Sequence, residues 1–362
     1  MQNVLVTGGA GFIGSNFVQY LIKQHPEVRI INLDALTYAG SLENLREVIK
    51  NERHVFVHGD ICNSTLVNDI FSRYQVETVV HFAAETHVDR SISGPEQFIQ
   101  TNIVGTFTLL EAARKYWLIN KSVDPHQARF HHVSTDEVYG SLNQDDPAWT
   151  EAIPYSPNSP YSASKASSDH LVRAYHHTYG LPITITNCSN NYGPRQFPEK
   201  LIPLMILNAL NGKDLPVYGD GQQMRDWLYV EDHCEAINIV LERGQNGETF
   251  NIGGDNQTSN LSIVQNICEI LDELKPQSTN RPYSSLIKFV VDRPGHDRRY
   301  AMDIGKISNE LGWKPRQSFS DGLLKTVKWY LDNPEWVNLI HNRTDYQTWI
   351  NENYILRGGQ KK

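Results

Sequence analysis

With 362 residues, 40% of them hydrophobic and 20% charged, the chain has an ordinary soluble balance and enough apolar surface for one large domain or two interleaved ones. A formal net charge of −8 without any basic run argues against nucleic acid or an anionic membrane as partner, and the apolar runs fall far short of a bilayer span. Met1 is followed directly by a strand-like segment rather than a signal peptide. Cys62, Cys188, Cys234 and Cys268 are too scattered for a zinc cage or disulfide framework, and the fourteen histidines lack HExxH spacing, so a cytoplasmic protein with buried thiols and no metal site is expected.

The first predicted strand, Asn3-Val4-Leu5-Val6-Thr7, runs straight into Gly8-Gly9-Ala10-Gly11-Phe12-Ile13-Gly14. Gly8, Gly11 and Gly14 then open a helix whose apolar face is Ile13, Phe17, Tyr20 and Leu21. In that setting glycine allows a tight turn and close backbone approach, while the helix N-terminus offers free N–H groups to a pyrophosphate. A second strand, Val28-Arg29-Ile30-Ile31-Asn32-Leu33, ends in Asp34, about twenty residues past Gly14. A carboxylate there can accept both adenosine-ribose hydroxyls and repel a 2′-phosphate, which favours NAD over NADP. The competing reading of Asp34 is a cap on the next helix.

Alternation continues. His54-Val55-Phe56-Val57-His58 leads to Gly59-Asp60-Ile61, near where an adenine would lie. Thr78-Val79-Val80-His81-Phe82 leads to Ala83-Ala84-Glu85-Thr86-His87, whose small residues let the backbone approach a dinucleotide. A long helical pattern over 95–117 precedes a central strand from Phe130, and this strand ends in Thr135, Asp136 and Glu137. A hydroxyl and two carboxylates at the carboxyl end of a buried parallel strand suit a reaction site, although acids there can also merely cap or solvate a turn. Farther on, Tyr161 and Lys165 stand at i and i+4 on one helix face. The lysine is expected to favour the phenolate and draw Tyr161 below its usual pKa of about 10, towards use as a base. Strands alternating with helices predict an α/β protein with a doubly wound parallel sheet and its ligand at the carboxyl ends.

Beyond Gly193 the chain becomes rich in Pro, Gly and polar residues, as suits a smaller C-terminal α/β substrate-binding lobe. The expected division is a dinucleotide domain over 1–196, a return segment over 227–258, and the smaller lobe over 197–226 and 259–362. Trp227-Leu228-Tyr229-Val230-Glu231-Asp232 reads as a strand entering a capped helix. Residues 306–313 and the Leu323, Val327, Tyr330 and Leu331 face read as packing, and the tail beyond Asn333 suggests no chemistry. Arg225 is either a bidentate diphosphate clamp or a solvated surface arginine.

The glycine fingerprint, Asp34, Thr135 and the Tyr161-x-x-x-Lys165 unit resemble the extended short-chain dehydrogenase/reductase superfamily, whose dinucleotide domain is a Rossmann sheet. Ser134-Thr135-Asp136-Glu137-Val138-Tyr139-Gly140, Ala83-Ala84-Glu85-Thr86-His87-Val88-Asp89-Arg90-Ser91, Asn187-Cys188-Ser189-Asn190-Asn191-Tyr192-Gly193-Pro194 and Asp292-Arg293-Pro294-Gly295-His296-Asp297-Arg298-Arg299-Tyr300 narrow the match to the dTDP-glucose 4,6-dehydratase family over nearly the whole chain. Ala35 is a small departure, because a basic residue is common there in the family. This resemblance implies NAD held by Gly8, Gly11, Phe12, Ile13, Gly14, Asp34, Ala35, Thr37, Asp60, Ile61, Ala83, Ala84, Thr86, Thr101, Tyr161, Lys165 and Asn191. It also implies a dTDP-glucose substrate met by His87, Thr135, Asn191, Glu199, Lys200, Leu201, Pro216, Val217, Tyr218, Arg225, Asn260, Asp292, Arg293, His296 and Tyr300. In the implied chemistry Tyr161 and Thr135 serve C4 oxidation, Lys165 holds the tyrosine and the cofactor ribose, Glu137 removes the C5 proton and Asp136 protonates the departing C6 hydroxyl. A homodimer pairing the helices over 95–117 and 160–179, and a place in deoxysugar and cell-surface polysaccharide synthesis, are implied as well. Two readings stay open beside it: another NAD-dependent sugar-nucleotide epimerase or decarboxylase that leaves Asp136 idle, and an NAD-binding regulator without chemistry.

Overall fold

The computed structural model describes residues 1–348 except 125, 279, 293–296 and 344–345. In chain order, β1 (Asn3–Thr7), α1 (Phe12–Gln24), β2 (Arg29–Asp34), β3 (His54–His58), α2 (Ser64–Tyr74), β4 (Thr78–His81) and α3 (Val88–Ser93) come first. The predicted long helix follows and runs on to Ile119 in four pieces: α4 (Pro95–Phe98), a π-helical stretch Ile99–Gly105, α5 (Thr106–Ala113) and a second π-helical stretch Arg114–Ile119. Next come β5 (Arg129–Thr135), a 3₁₀ turn Asp136–Tyr139, α6 (Pro160–Tyr179), β6 (Ile183–Cys188), β7 (Asn190–Tyr192), α7 (Leu201–Leu210), β8 (Leu215–Tyr218) and β9 (Met224–Tyr229). The last described elements are α8 (Val230–Arg243), β10 (Thr249–Ile252), β11 (Gln257–Ser259), α9 (Asn260–Leu274), β12 (Ile287–Val290), α10 (Gly305–Leu311), α11 (Phe319–Asp332) and α12 (Pro334–His341).

Seven strands form one parallel sheet in the order β10-β6-β5-β4-β1-β2-β3. Both faces are covered by helices, which is why these strands are apolar almost throughout rather than alternating with polar residues. Successive β1 side chains divide between the two layers, as a period of two requires. Val4 and Val6 meet Phe17 and Leu21 of α1 and Ile237 and Val240 of α8 on one face. Leu5 meets Phe71, Leu109, Trp117 and Val172 on the other. Because β1 has β2 on one side and β4 on the other, the strand order reverses there and a crevice opens at the carboxyl ends.

β10 pairs with β6 at the edge of the sheet, so the chain returns to it after β9. Ile307, Leu311 and Trp313, which the sequence division places in the smaller lobe, pack into the core of the large sheet. The expected cap at the start of α8 is absent. No side chain caps that helix; Glu231 and Asp232 supply negative charge to its first turn instead, and Asp232 Oδ2 accepts from the backbone N–H groups of Arg316 and Gln317 at 3.2 and 2.9 Å. The second core gathers Ile206, Val217, Trp227, Ile263, Leu323 and Tyr330 between α7, α9, α11 and the small sheets β11-β9-β7 and β12-β8. Of the thiols, Cys188, Cys234 and Cys268 are buried, but Cys62 is only half-buried.

Candidate active site

The turn after β1 is forced by close packing. Gly8 has φ +72°, and a Cβ on it would lie 2.6 Å from the Ala83 nitrogen; a Cβ on Gly14 would lie 2.3 Å from the Gly8 carbonyl oxygen. Both substitutions would push the turn off β4 and off itself. α1 then begins just after Gly11 with no side chain capping it, so its first amides face the crevice without a protein side-chain acceptor. Asp34 closes the other side of the crevice. Its Oδ2 accepts from Ala10 N–H and its Oδ1 from Leu36 N–H, each at 2.8 Å, and burial raises its pKa against the pull of those two bonds. The carboxylate therefore shapes the loop that follows β2 while it faces the cavity.

One large cavity is lined by the whole expected cofactor set: Gly8, Gly11, Phe12, Ile13, Gly14, Asp34, Ala35, Thr37, Asp60, Ile61, Ala83, Ala84, Thr86, Thr101, Tyr161, Lys165 and Asn191. Uncapped helix amides at one end and a buried carboxylate at the end of β2 fit a dinucleotide's pyrophosphate and ribose.

Thr135, Asp136 and Glu137 line the same cavity. β5 carries Thr135 to the rim, and the 3₁₀ turn then folds the acids back on it: Thr135 Oγ1 donates to Asp136 Oδ1 at 3.2 Å and accepts from Glu137 N–H at 3.3 Å. Asp136 is sealed, and burial together with the charges of Glu137 and Asp226 pushes its pKa well up. A carboxyl so placed holds its proton. α6 starts with Pro160 and a reciprocal Ser159–Ser162 capping box, which fixes the helix turn that carries Tyr161.

The expected depression of the Tyr161 pKa is not what the geometry gives. Burial first, and then the Glu137 charge, push the phenol well above its ordinary value, with the Thr135 hydrogen bond opposing them. Lys165, whose own pKa burial lowers, turns its Nζ to the Val133 carbonyl at 2.9 Å. Helical spacing identified the neighbouring ammonium and missed the cost of desolvating a phenolate.

Of the expected substrate contacts, Thr135, Asn191, Glu199 and Lys200 line the cavity. The remaining described ones do not. His87 is buried ahead of α3, Leu201 begins α7, Pro216, Val217 and Tyr218 form β8, Asn260 begins α9 and Asp292 follows β12, where it accepts from Gln223 Nε2 at 2.9 Å. Arg225 is buried rather than solvated. It donates to the Met224 and Asp297 carbonyls at 2.8 Å each, stacks at 4.2 Å on the Tyr300 ring, and its charge helps to restrain the Asp136 pKa. Arg293 and His296 lie outside the described residues.

Sequence reasoning missed Tyr38, which lines the cavity with the Arg90 guanidinium 3.8 Å from its ring centre. Arg90 also bonds to Glu199 at 3.2 Å, and Tyr38 Oη lies 3.4 Å from Thr86 Oγ1. No periodicity signals an aromatic in the loop after Asp34. Gln196 and Phe197, in a stretch that the family resemblance assigns to the nucleoside diphosphate, also line the cavity, as do Cys188 and Ser189 from the motif over 187–194.

A family model described as GDP-mannose 4,6 dehydratase matches residues 5–326. A dTDP-glucose 4,6-dehydratase of Salmonella typhimurium is 57% identical over 361 residues, covering 98% of this chain and 99% of that protein. The solved dTDP-glucose 4,6-dehydratase of Streptomyces venezuelae with NAD bound shares 48% identity at a TM-score of 0.84, covering 94% of this chain and 100% of that one. Its counterpart from Bacillus anthracis in complex with NAD shares 47% identity at a TM-score of 0.83, with the same coverage. Fold, glycine turn and acid pair therefore have one common explanation: the chain belongs to the dTDP-glucose 4,6-dehydratase family.

Proposed function

We propose that the protein is a hydro-lyase that uses NAD to convert dTDP-glucose into dTDP-4-keto-6-deoxyglucose, a precursor of deoxysugars. The observation that carries this reading is the placing of Thr135, Asp136, Glu137, Tyr161 and Lys165 in one cavity with the glycine turn and Asp34. Bound NAD supplies a hydride acceptor for sugar C4 and, later in the same turnover, a hydride donor for C6. The side chains manage the protons. Tyr161 takes the proton of the C4 hydroxyl, Thr135, whose hydrogen bond favours the phenolate against burial, steadies that oxygen, and Lys165, one helical turn along, would hold the cofactor ribose. A ketone at C4 acidifies C5–H, which Glu137 removes; Asp136 gives its proton to the departing C6 hydroxyl, water leaves, and once C6 has received the hydride Glu137 returns a proton to C5. The two acids must hold opposite protonation states at one pH, and the burial that raises the Asp136 pKa supports Asp136 as the proton donor.

Incubation with dTDP-glucose, UDP-glucose and GDP-mannose without added reductant, followed by mass measurement of each nucleotide, tests the reading. dTDP-glucose is expected to lose the mass of one water with no net consumption of NAD. Unchanged mass, or stoichiometric NADH, sinks it.

The cytoplasm is the location that the sequence composition favours. Among the described residues no helix is long and apolar enough to cross a membrane. The working assembly is a homodimer: Ile99, Phe107 and Ile119 along the 95–119 helix and Tyr179 at the end of α6 are large apolar side chains left exposed, and a symmetric second copy is what would cover them.

A further inference from the structure

Tyr161, Lys165 and Asp169 stand one above another at i, i+4 and i+8 on α6. Asp169 has no part in the dehydration chemistry, yet it is only 2% exposed. A carboxylate at that depth needs charge and hydrogen bonds around it, and both are built here. Its Oδ2 accepts from Ser134 Oγ at 2.8 Å and from Asn187 Nδ2 at 3.4 Å, and the Lys165 ammonium is the neighbouring cation that favours its ionised form. Lys165 is itself 4% exposed and reaches His132 Nε2 at 3.4 Å. That same nitrogen lies 3.1 Å from Asp169 Oδ1, without the alignment of a hydrogen bond. Burial, with the Lys165 charge, keeps His132 neutral. A neutral imidazole nitrogen either accepts or donates, so Nε2 serves Lys165 or Asp169 at a given moment and never both. The three groups are coupled through one ring atom.

Resting on the dehydratase reading, we propose that Asp169 is a positioning residue for the reaction: acting through Lys165, with His132 as the shared partner, its carboxylate fixes the place and the charge of the ammonium beside Tyr161. A buried carboxylate set near a buried ammonium seldom stabilises a fold more than apolar residues of the same volume. Its use here is to favour the charged form of Lys165, whose pKa burial lowers and the Asp169 charge raises. The other titratable groups that face the cluster are Tyr161 on α6, His81 on β4, Cys188 on β6, Asp136, Glu137 and Tyr139 on the turn after β5, and Tyr155 ahead of α6. Burial keeps His81 neutral and Cys188, Tyr139 and Tyr155 protonated. Asp169 itself is pushed up to about 6 by burial, so its charge is present through the neutral range and lost in acid.

The sign of the effect follows. An ionised Asp169 raises the pKa of Lys165, so Asp169→Asn lowers it and moves the alkaline limb of hydride transfer towards lower pH, by about one to three units for a close buried partner. Single turnovers of dTDP-glucose, followed by nicotinamide absorbance against pH, read that limb. Titration of the apoprotein with NADH by fluorescence reads it again without chemistry. In a Lys165→Met background, Asp169→Asn is expected to cost no further rate. A folded Asp169→Asn protein with an unmoved limb, or losses that multiply in the double variant, would show that Asp169 only fills the core and would overturn the proposal. If Asp169→Asn does not fold, Ser134→Ala decides: loss of that hydrogen bond weakens the carboxylate form, so the acid limb moves to higher pH, and an unmoved acid limb overturns the proposal equally. Failure of the wild type to dehydrate dTDP-glucose strikes the dehydratase reading instead, and the two are told apart because the NADH titration needs no turnover.

Discussion

Asp136 and Glu137 are adjacent in sequence and opposite in environment, one sealed and one half-buried, and the proposed chemistry rests on that contrast. Tyr161→Phe is expected to abolish hydride transfer, whereas Glu137→Gln and Asp136→Asn should still oxidise C4 and then stall. Single-turnover absorbance separates them, with turnover reduced about 10²–10⁴-fold in each acid variant and solvent deuterium entering C5 only where Glu137 is intact. Normal turnover of Glu137→Gln would assign C5 deprotonation to another group. Asp34 gives a second prediction: NADP should bind the apoprotein at least about tenfold more weakly than NAD, about 1.4 kcal/mol, because a phosphate would face a buried carboxylate. Equal affinities by titration would remove Asp34 from cofactor choice. Residues tied to a local pattern are legible in the sequence alone. Gly8, Gly11 and Gly14 follow a strand and open a helix, and Asp34 ends the next strand, so a few neighbouring residues carry the signal. Asp169 and Tyr38 are not legible there, since their partners Ser134, His132, Arg90 and Thr86 come from distant parts of the chain. The rise of the Tyr161 pKa is not legible for a related reason: spacing shows the lysine and says nothing of burial.

Among the elements, α6 bears Tyr161, Lys165 and Asp169, and its starting point is set by two hydroxyls. Ser159→Ala removes the acceptor for Ser162 N–H at 3.0 Å and breaks the capping box, which should cost about 1 kcal/mol of stability in a denaturant or thermal melt. A larger loss of turnover than of stability is expected, because fraying of this first turn displaces Tyr161 directly. No change in the melt would mean that Pro160 alone fixes the start. The helix over 95–119 shows where pattern reading runs out. Apolar spacing predicted its extent closely, but not the π-helical stretch Ile99–Gly105, which turns Thr101 towards the cavity and brings Asn102 against Glu85 and Ser164. An extra residue per turn leaves no mark in composition, and such stretches collect at functional sites.

For the whole molecule, the exposed apolar side chains on the 95–119 helix lead to the prediction that Phe107→Asp converts a dimer into a single-chain species, read by sedimentation at micromolar concentration. A wild type sedimenting as one chain would contradict the dimer. The α/β class and the strand alternation were readable along the chain, whereas the crossing of Ile307, Leu311 and Trp313 into the large core was not, because nothing local distinguishes which of two cores an apolar helix joins. That interleaving also reaches α12, where Trp336 Nε1 donates to Asn44 Oδ1 at 2.7 Å. It has a consequence for biosynthesis. As the chain leaves the ribosome, β6 is complete long before β10, so its outer edge waits bare while β7 to β9 and α8 are translated, on the order of seconds at about 5–20 residues per second. An unpaired parallel edge of that kind invites pairing with other nascent chains. The nascent polypeptide is therefore most open to misassembly midway through synthesis, and a truncation after β9 should aggregate where the full chain does not.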